Sequence, residues 1–228
     1  IAVGLRSIRL VSGVATDASG WVYVLDQINS RVQKFSGLGA YAARFGSSGS
    51  SPGQLFGPAG IALDGLGNVF VTNSDHRVEK FTTAGVFVQQ WGTPGAGSGQ
   101  FNLPWGVAVD ANGDVYVADT NNNRIQKFSN SGTYLAQWGS LGSAAGQFTA
   151  PRGVAADRAG NVYVTDNTAR VQKFTASGTF LTQWTFAVGP LNAASAVAVD
   201  GNGDVYVTNA GPGANVGKYS PDGALLAQ

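Results

Sequence analysis

The amino-acid sequence predicts an all-β fold made of four-stranded repeat units. The stretch VAVDANGDVYVADTNNNRIQKF at residues 107–128 recurs in four further copies that begin near residues 14, 61, 154 and 197. Each copy consists of short β-branched and aromatic runs separated by Gly, Asn and Asp, without helical periodicity. The aspartates that align between copies are spaced by 47, 46, 47 and 43 residues, as expected for units of four strands. They are Asp17, Asp64, Asp110, Asp157 and Asp200.

The third copy shows how one unit divides into strands. We predict strand a at 106–109, strand b at 115–118, strand c at 124–128 and strand d at 134–138. The intervening DANGD and SNSGT segments supply Asn and Gly where tight hairpins need positive φ. Units of this kind are typical of the blades of a β-propeller, whose strands a surround a central channel. The chain is therefore predicted to be one propeller over 1–228, with blades at about 13–46, 60–92, 106–139, 153–184 and 196–228.

The repeat unit resembles that of a known family. The third copy, GVAVDANGDVYVADTNNNRIQKFSNSGTYLAQWG, is similar almost position for position to the NHL repeat, and the resemblance extends over nearly the whole chain. The last copy departs most, because NAGPGANVGKY lacks the arginine that the other four copies hold. Those arginines are Arg31, Arg77, Arg124 and Arg170. The resemblance implies an NHL-type propeller, and such propellers commonly have six blades.

The sequence is compatible with more than one way of closing the ring of blades. Five units predict a closed five-bladed ring, whereas the family habit suggests a sixth blade supplied by residues outside this chain or by a partner chain. Residues 1–12 are either a linker or a closing strand, in which Leu5 to Leu10 would add to the last blade. Closure or a partner is expected because an open arc would expose the apolar faces of its two end blades.

Aromatic side chains recur at the ends of strands c and d. We expect them to pack between blades rather than to stack on a ligand, since aromatics at fixed repeat positions usually build the core. Those that end strands c are Phe35, Phe81, Phe128, Phe174 and Tyr219. Those that end strands d are Phe45, Trp91, Trp138 and Trp184.

Composition excludes several classes of function. The net charge is +1 and only 12% of residues are charged, so no strong field recruits nucleic acid or an anionic membrane. The absence of cysteine excludes disulfides and thiolate sites, and the single histidine, His76, excludes a multi-histidine zinc centre. No run of about 18 apolar residues predicts a membrane span. Sparse Lys and Glu with abundant Ser, Thr, Asn and Gly favour a bacterial protein that is extracellular, on the cell surface or periplasmic.

Binding is predicted on the propeller face that carries the b–c loops and the linkers between blades, because variable loops on a rigid scaffold usually bind ligands. The linkers end in Pro-x-Gly just before strand a, and x is Ala59, Trp105 and Arg152 in successive blades. An exposed Trp and Arg make a plausible anchor for a protein, peptide or carbohydrate. The alternative is that Trp105 packs on the next blade and Arg152 pairs with a carboxylate. Further candidate ligand-binding residues are Asn121, Asn122 and His76 in the b–c loops.

A ring of oxygen-bearing side chains ends the b strands and is a weak candidate for Ca²⁺. Its members are Asp26, Asn73, Asp119, Asp166 and Asn209. Four of them precede one of the repeated arginines by four or five residues, so local pairing with arginine is the favoured interpretation. No other cofactor is predicted. The triplet Asp110, Asn112 and Asp114 looks like the start of a calcium loop, but it is interpreted as an a–b turn because the downstream Glu is absent.

These observations favour a noncatalytic propeller that serves as a binding scaffold in a larger extracytoplasmic protein. One alternative is a metal-dependent lyase or hydrolase at the channel mouth, with His76 as the only candidate base of the usual type. Another is a structural subunit of a surface assembly that associates with itself or with a partner completing the ring. RNA binding is a further alternative, since one lysine recurs in each strand c, although there it would lie between blades. These are Lys34, Lys80, Lys127, Lys173 and Lys218.

Overall fold

The computed structural model describes residues 7–185, 194–209 and 216–228 and shows five four-stranded antiparallel sheets. Each sheet is one propeller blade, in which the strands follow chain order from the channel outwards. The first blade contains β1 (Val11–Thr16), β2 (Val22–Asp26), β3 (Arg31–Phe35) and β4 (Tyr41–Phe45). The second contains β5 (Pro58–Leu63), β6 (Asn68–Asn73), β7 (Arg77–Thr82) and β8 (Phe87–Trp91).

The remaining three blades repeat this arrangement. The third contains β9 (Pro104–Val109), β10 (Val115–Asp119), β11 (Arg124–Phe128) and β12 (Tyr134–Trp138). The fourth contains β13 (Val154–Ala156), β14 (Val162–Asp166), β15 (Arg170–Phe174) and β16 (Phe180–Thr185). The fifth contains β17 (Ala194–Val199), β18 (Val205–Asn209), β19 (Val216–Tyr219) and β20 (Leu225–Ala227). The predicted four-stranded blades are confirmed, and in the third blade strands c and d have the predicted bounds.

The a–b turns are held by the repeated aspartate. Asp110 Oδ1 accepts the N–H groups of Asn112 at 2.9 Å and Asp114 at 3.0 Å, while its Oδ2 accepts the Tyr116 hydroxyl at 2.8 Å. Gly113 adopts a φ of 86°, which the tight turn requires. The apparent calcium triplet thus builds a hairpin turn, as predicted. Burial, together with the Asp110 carboxylate, raises the pKa of Tyr116.

The hydrophobic core lies between successive blades, where the predicted aromatic packing is confirmed. Between the second and third blades, Phe70 packs with Val115 and Phe128, and Trp91 covers this cluster from the end of strand d. Equivalent clusters join the first blade to the second, the third to the fourth and the fourth to the fifth. In the last three blades the glycine of the c–d turn lies against the tryptophan that ends strand d of the preceding blade, as Gly178 does against Trp138. In the second blade the equivalent Gly85 lies against Phe45.

The junction between the fifth and first blades differs from the other four. On the first blade, Val14 is 56% exposed, whereas its equivalent Val107 in the third blade is 6% exposed. On the fifth blade, Val216 is 50% exposed, whereas its equivalent Ile125 is fully buried. Among the described residues, no hydrophobic cluster joins these two blades. The five predicted blades are present, but within the described part of the chain the fifth and first blades share no hydrophobic cluster like those at the other four junctions.

The described part of the N-terminal segment does not extend the last blade. Residues 7–10 run beside the b–c loop of the first blade, where the N–H of Gln27 donates to the Leu10 carbonyl at 3.0 Å. The Arg9 N–H donates to the Asp26 carboxylate, as the Asn102 N–H donates to Asp119 two blades later. Residues 7–10 thus form the end of a linker, which is the first of the two predicted alternatives for this segment. Residues 1–6 of that prediction lie outside the described residues.

Truncating the two equivalent valines should have unequal effects. We expect Val107→Ala to lower the free energy of unfolding by roughly 1–2 kcal/mol, because it leaves a cavity between blades. Val14→Ala should change it by less than about 0.5 kcal/mol, because that side chain is already exposed. Urea unfolding of both variants measures the difference. Equal losses would show that Val14 is covered in solution.

Candidate functional site

The inner strands of all five blades surround one central channel, and the Pro-x-Gly positions lie at its mouth. Ala59, Trp105 and Arg152 line an opening of about 140 Å³, together with Ser12 of the first blade. Trp105 belongs to β9, and Arg152 lies two residues before β13. The structure therefore brings the two predicted anchor residues together at the end of the channel that carries the linkers.

Trp105 and Arg152 form a stacked pair. The guanidinium carbon of Arg152 lies 5.1 Å from the centre of the Trp105 ring, which is within cation–π distance. Both side chains are only partly buried, but the Nε atom of Arg152 is buried and has no hydrogen-bond partner within the described part of the chain. The predicted alternative, in which Arg152 pairs with a carboxylate, is not seen among the described residues. The pair thus presents an aromatic face and a cation at the channel mouth.

The glycine of the Pro-x-Gly motif sets the spacing between neighbouring inner strands. A side chain at Gly106 would collide with the Arg152 carbonyl of the next blade, and one at Gly60 would collide with the Trp105 carbonyl. Neither glycine has a positive φ, so close approach rather than backbone conformation requires it. The motif therefore brings each x residue close to its counterpart in the next blade.

Hydroxyl groups of the b strands fix the linker ends. The Thr72 hydroxyl accepts the Gly60 N–H at 2.9 Å and donates to the Trp105 carbonyl. The Thr120 hydroxyl, just after β10, donates to the Pro151 carbonyl at 2.8 Å. The backbone on both sides of the Trp105–Arg152 pair is thereby tied to the neighbouring blade.

The b–c loop candidates lie on the same propeller face but are largely occupied with the linkers. The Leu103 N–H donates to His76 Nδ1 at 3.1 Å, and the Asn121 N–H donates to the Asn102 carbonyl. Asn122 Nδ2 donates to the Gly95 carbonyl and to Asp119. Asn121 is exposed and His76 is half-buried, so both side chains are accessible to a ligand. The amide nitrogen of Asn122 is already used in its two hydrogen bonds within the protein.

The ring that ends the b strands is a set of buried hydrogen-bond networks. Asp119 accepts Arg124 Nε at 2.8 Å, Gln126 Nε2 at 3.0 Å and the Asn102 N–H at 2.7 Å. Arg124 then donates to the linker carbonyls of Ala96, Gly97 and Gln100. Each network therefore clamps the linker that enters its own blade.

The same pairing recurs in other blades. Asp26 accepts Arg31 at 2.9 Å, and Asp166 accepts Arg170 at 3.1 Å. Burial would raise the pKa of Asp26, but hydrogen bonds from the Arg9 N–H, Asn29 and Arg31 outweigh it and lower that pKa below its ordinary value. Local pairing with arginine, the favoured interpretation, is thus observed for three members of the ring.

The second blade exchanges acid and amide in this network. Asn73 occupies the position of Asp119, and Glu79 occupies that of Gln126. Arg77 contacts Asp75 at 3.0 Å and Glu79 at 3.4 Å, while Asn73 Nδ2 and Glu79 Oε1 are buried without a hydrogen-bond partner. Sequence analysis missed this exchange, although RVEKF in place of RVQKF or RIQKF was a visible signal.

No convergent metal-ligand set occurs within the described ranges. There, no three Asp, Glu, His or Cys side chains lie close enough together to hold a metal ion. The side chain of Asn209, the fifth member of the ring, lies outside the described residues. Calcium binding therefore stays a prediction.

Three of the repeated lysines of strands c reach across a blade junction. Lys80 Nζ stands 5.4 Å from the centre of the Phe70 ring and donates to the Asn130 carbonyl of the next blade at 3.1 Å. Lys34 and Lys173 make the corresponding bonds to the carbonyls of Thr83 and Pro221. The predicted location between blades is thus confirmed for Lys34, Lys80 and Lys173, whereas Lys127 pairs with Asp114 of its own blade.

In the part of the chain that the structure describes, no helix has the length and apolar character needed to span a membrane.

Comparisons with known proteins identify relatives by fold. Residues 101–128 match the family model of the NHL repeat. A virginiamycin B lyase from Staphylococcus aureus, solved as an inactive H270A variant with quinupristin, is similar with a TM-score of 0.71 at 16% identity, over 97% of this chain and 70% of that one. A search of curated protein sequences gives no match.

Two further solved structures have the same architecture. A chain of the nidogen–laminin complex is similar with a TM-score of 0.73 at 23% identity, over 93% of this chain and 76% of that one. A gluconolactonase from Xanthomonas campestris is similar with a TM-score of 0.70 at 16% identity, over 96% of this chain and 76% of that one. At these identities the likeness shows the fold alone. The chain is therefore a β-propeller whose third blade matches the NHL repeat and whose other four blades repeat the pattern of that blade.

Proposed function

We propose that this propeller is a noncatalytic binding scaffold that holds a protein, peptide or carbohydrate ligand on the face carrying the linkers and b–c loops. The observation that carries the proposal is the Trp105–Arg152 stack at the channel mouth. Trp and Arg are the residue types most enriched at binding hot spots. We also propose an extracytoplasmic location, which rests on composition.

The rigidity of the surrounding structure supports this function. The linker ends are tied by the hydroxyls of Thr72 and Thr120, and the linkers themselves are clamped by arginines such as Arg124. A preorganised surface loses little conformational entropy when a ligand binds. The linkers also expose apolar side chains, such as Phe56 and Leu141, which add contact area on this face.

The double variant Trp105→Ala/Arg152→Ala tests the proposal. We expect ligands selected by the wild-type protein from arrayed peptides and glycans to lose at least tenfold in affinity, because loss of a hot-spot pair costs at least about 1.4 kcal/mol. The matched control is Leu66→Ser/Val86→Ser, which alters two exposed side chains on the a–b and c–d turns. Unchanged affinity in the double variant, measured by biolayer interferometry, would refute the assignment of this face.

A metal-dependent lyase or hydrolase is the second candidate, favoured by the lyase and the gluconolactonase among the similar folds. His76 is the only histidine, and its Nδ1 accepts the Leu103 N–H, which leaves Nε2 for chemistry. The test is conversion of gluconolactone or quinupristin by the purified protein with added divalent metal. Turnover that disappears in His76→Ala would favour the enzyme over the scaffold.

A further inference from the structure

We propose that the channel mouth binds a carboxylate carried by an acidic peptide. The inference rests on the binding function proposed above and assigns the ligand class to the same site. Arg152 would receive the carboxylate, and the Trp105 ring holds the guanidinium where the ligand meets it.

The first argument is the unmet hydrogen-bonding capacity of Arg152. Each guanidinium nitrogen of Arg124 has a hydrogen-bond acceptor, because this side chain donates to Asp119, to Gln137 and to carbonyls of the preceding linker. Arg152 instead keeps a buried Nε without an acceptor in the described structure. The Arg152 side chain forms no ion pair with a described residue, and a guanidinium binds carboxylate oxygens side by side. The terminal nitrogens of Arg152 are therefore left for an anionic acceptor from outside the chain.

The second argument is electrostatic. None of the described residues that line the opening is acidic. The buried carboxylates of the two blades that supply the pair, Asp119 and Asp166, are already bonded to Arg124 and Arg170. The positive charge of Arg152 is thus not neutralised by these groups, and it faces a partly enclosed opening where electrostatic attraction is stronger than in bulk water.

The third argument is preorganisation. The Arg152 N–H donates to the Thr165 carbonyl at 2.9 Å, and the Gly153 N–H donates to the Thr165 hydroxyl at 3.0 Å. The stacking on Trp105 restrains the guanidinium plane. An arginine held in this way loses little entropy when it pairs with a carboxylate.

Size and surroundings favour a peptide as the source of the carboxylate. An opening of about 140 Å³ equals the volume of roughly five waters, which suits one acidic side chain. The linkers expose apolar side chains, among them Phe56 at 52% and Leu103 at 41%, that could pack on residues flanking it. A sugar acid would need more hydrogen-bonding side chains than the described lining of the opening offers, which are those of Ser12, Trp105 and Arg152.

The test is an NMR titration of the intact chain with three probes: N-acetylglutamate α-amide, N-acetylglutamine α-amide and glucuronate. The readout is the indole N–H resonance of Trp105, which Trp105→Phe identifies among the five tryptophans. We expect the glutamate compound to bind at least about tenfold more tightly than the glutamine compound, because a charged hydrogen-bonded pair forms only with the former. Arg152→Gln should abolish that difference, whereas Arg152→Lys should keep part of it.

The control is Arg158→Gln, which removes an exposed arginine at the opposite end of the channel and should leave the difference intact. Equal affinity for the glutamate and glutamine compounds would overturn the proposal, as would a preference that survives Arg152→Gln. Tighter binding of glucuronate would overturn the peptide assignment. Selected ligands that depend on Trp105 and Arg152 but carry no acid would refute this inference while leaving the proposed function in place.

Discussion

Asp119→Ala should lower the free energy of unfolding by about 3–5 kcal/mol, which is the usual cost of removing one partner of a buried ion pair. The Asp119 side chain is fully buried, and Arg124 is only 6% exposed. Removing the carboxylate deprives Arg124, Gln126 and the Asn102 N–H of their common acceptor. The charge of Arg124 would then stay buried without compensation. Urea unfolding monitored by tryptophan fluorescence measures the loss.

The second blade supplies the matched control for this prediction. Asn73 is the natural occupant of the equivalent position, with Glu79 at the position of Gln126. We expect Asp119→Asn alone to be destabilising, because it removes the charge that faces Arg124. The double variant Asp119→Asn/Gln126→Glu should recover part of that loss, since it rebuilds the combination of the second blade. A loss below about 1 kcal/mol in Asp119→Ala would contradict the assigned role of the network.

The consequence of this network extends to the candidate site. Arg124 holds the linker at Ala96, Gly97 and Gln100, a few residues before Trp105. The clamp therefore connects a buried ion pair to the position of a proposed anchor residue. Stability and ligand binding should fall together in Asp119→Ala, whereas Trp105→Ala should affect binding alone.

The strands and the position of the Pro-x-Gly residues could be predicted because repetition fixes both. Five copies of one pattern locate each hairpin turn through its glycine, as at Gly113, and place Trp105 and Arg152 at the start of an inner strand. The same repetition explains why the packing role of Trp91 was predictable. These features depend on local turn chemistry and on period, which a sequence shows directly.

Features that depend on contact between distant segments could not be predicted in the same way. The stacking of Arg152 on Trp105 joins residues 47 positions apart, and only the packing of neighbouring inner strands brings them together. Val14 and Val216 occupy positions that are buried in other blades, so the sequence pattern predicts that both are buried. In the described structure both are exposed, because no described residue packs over them. Periodicity states which face of a strand is apolar, but it does not state what covers that face.

Glu79→Gln should stabilise the protein, and the gain should grow as the pH rises from 4.5 towards 7. Burial raises the pKa of Glu79 from 4.5 to about 7, against the opposing effects of Arg77 and the Gly53 N–H. At pH values between these two, the folded protein keeps the proton that the unfolded chain has released, so the stability of the wild-type protein falls with increasing pH. A change from 4.5 to about 7 corresponds to about 3 kcal/mol at most.

The geometry explains why glutamine should be preferred at this position. In the third blade, Gln126 Nε2 donates to the Gln100 carbonyl at 2.6 Å, and in the fourth blade Gln172 Nε2 donates to the Gln147 carbonyl at 2.7 Å. Glu79 can act as such a donor only when it is protonated, and its Oε1 has no hydrogen-bond partner. Its Oε2 accepts the Gly53 N–H as the glutamine oxygens accept the N–H groups of Gly99 and Gly146. Glutamine thus supplies at every pH the donor that glutamate supplies only when protonated.

The measurement is urea unfolding of wild-type protein and Glu79→Gln at pH 5, 6, 7 and 8, with the difference between the two compared across pH. Groups that titrate in the same way in both proteins cancel in this difference. We expect it to be smallest at pH 5 and to level off above pH 7, because Glu79 is then ionised in both the folded and the unfolded state. The converse variant Gln126→Glu places a second acid beside Asp119, so its destabilisation should increase over the same pH range. A difference that stays constant from pH 5 to 8 would show that Glu79 is ionised throughout and that Arg77 compensates its charge within the clamp.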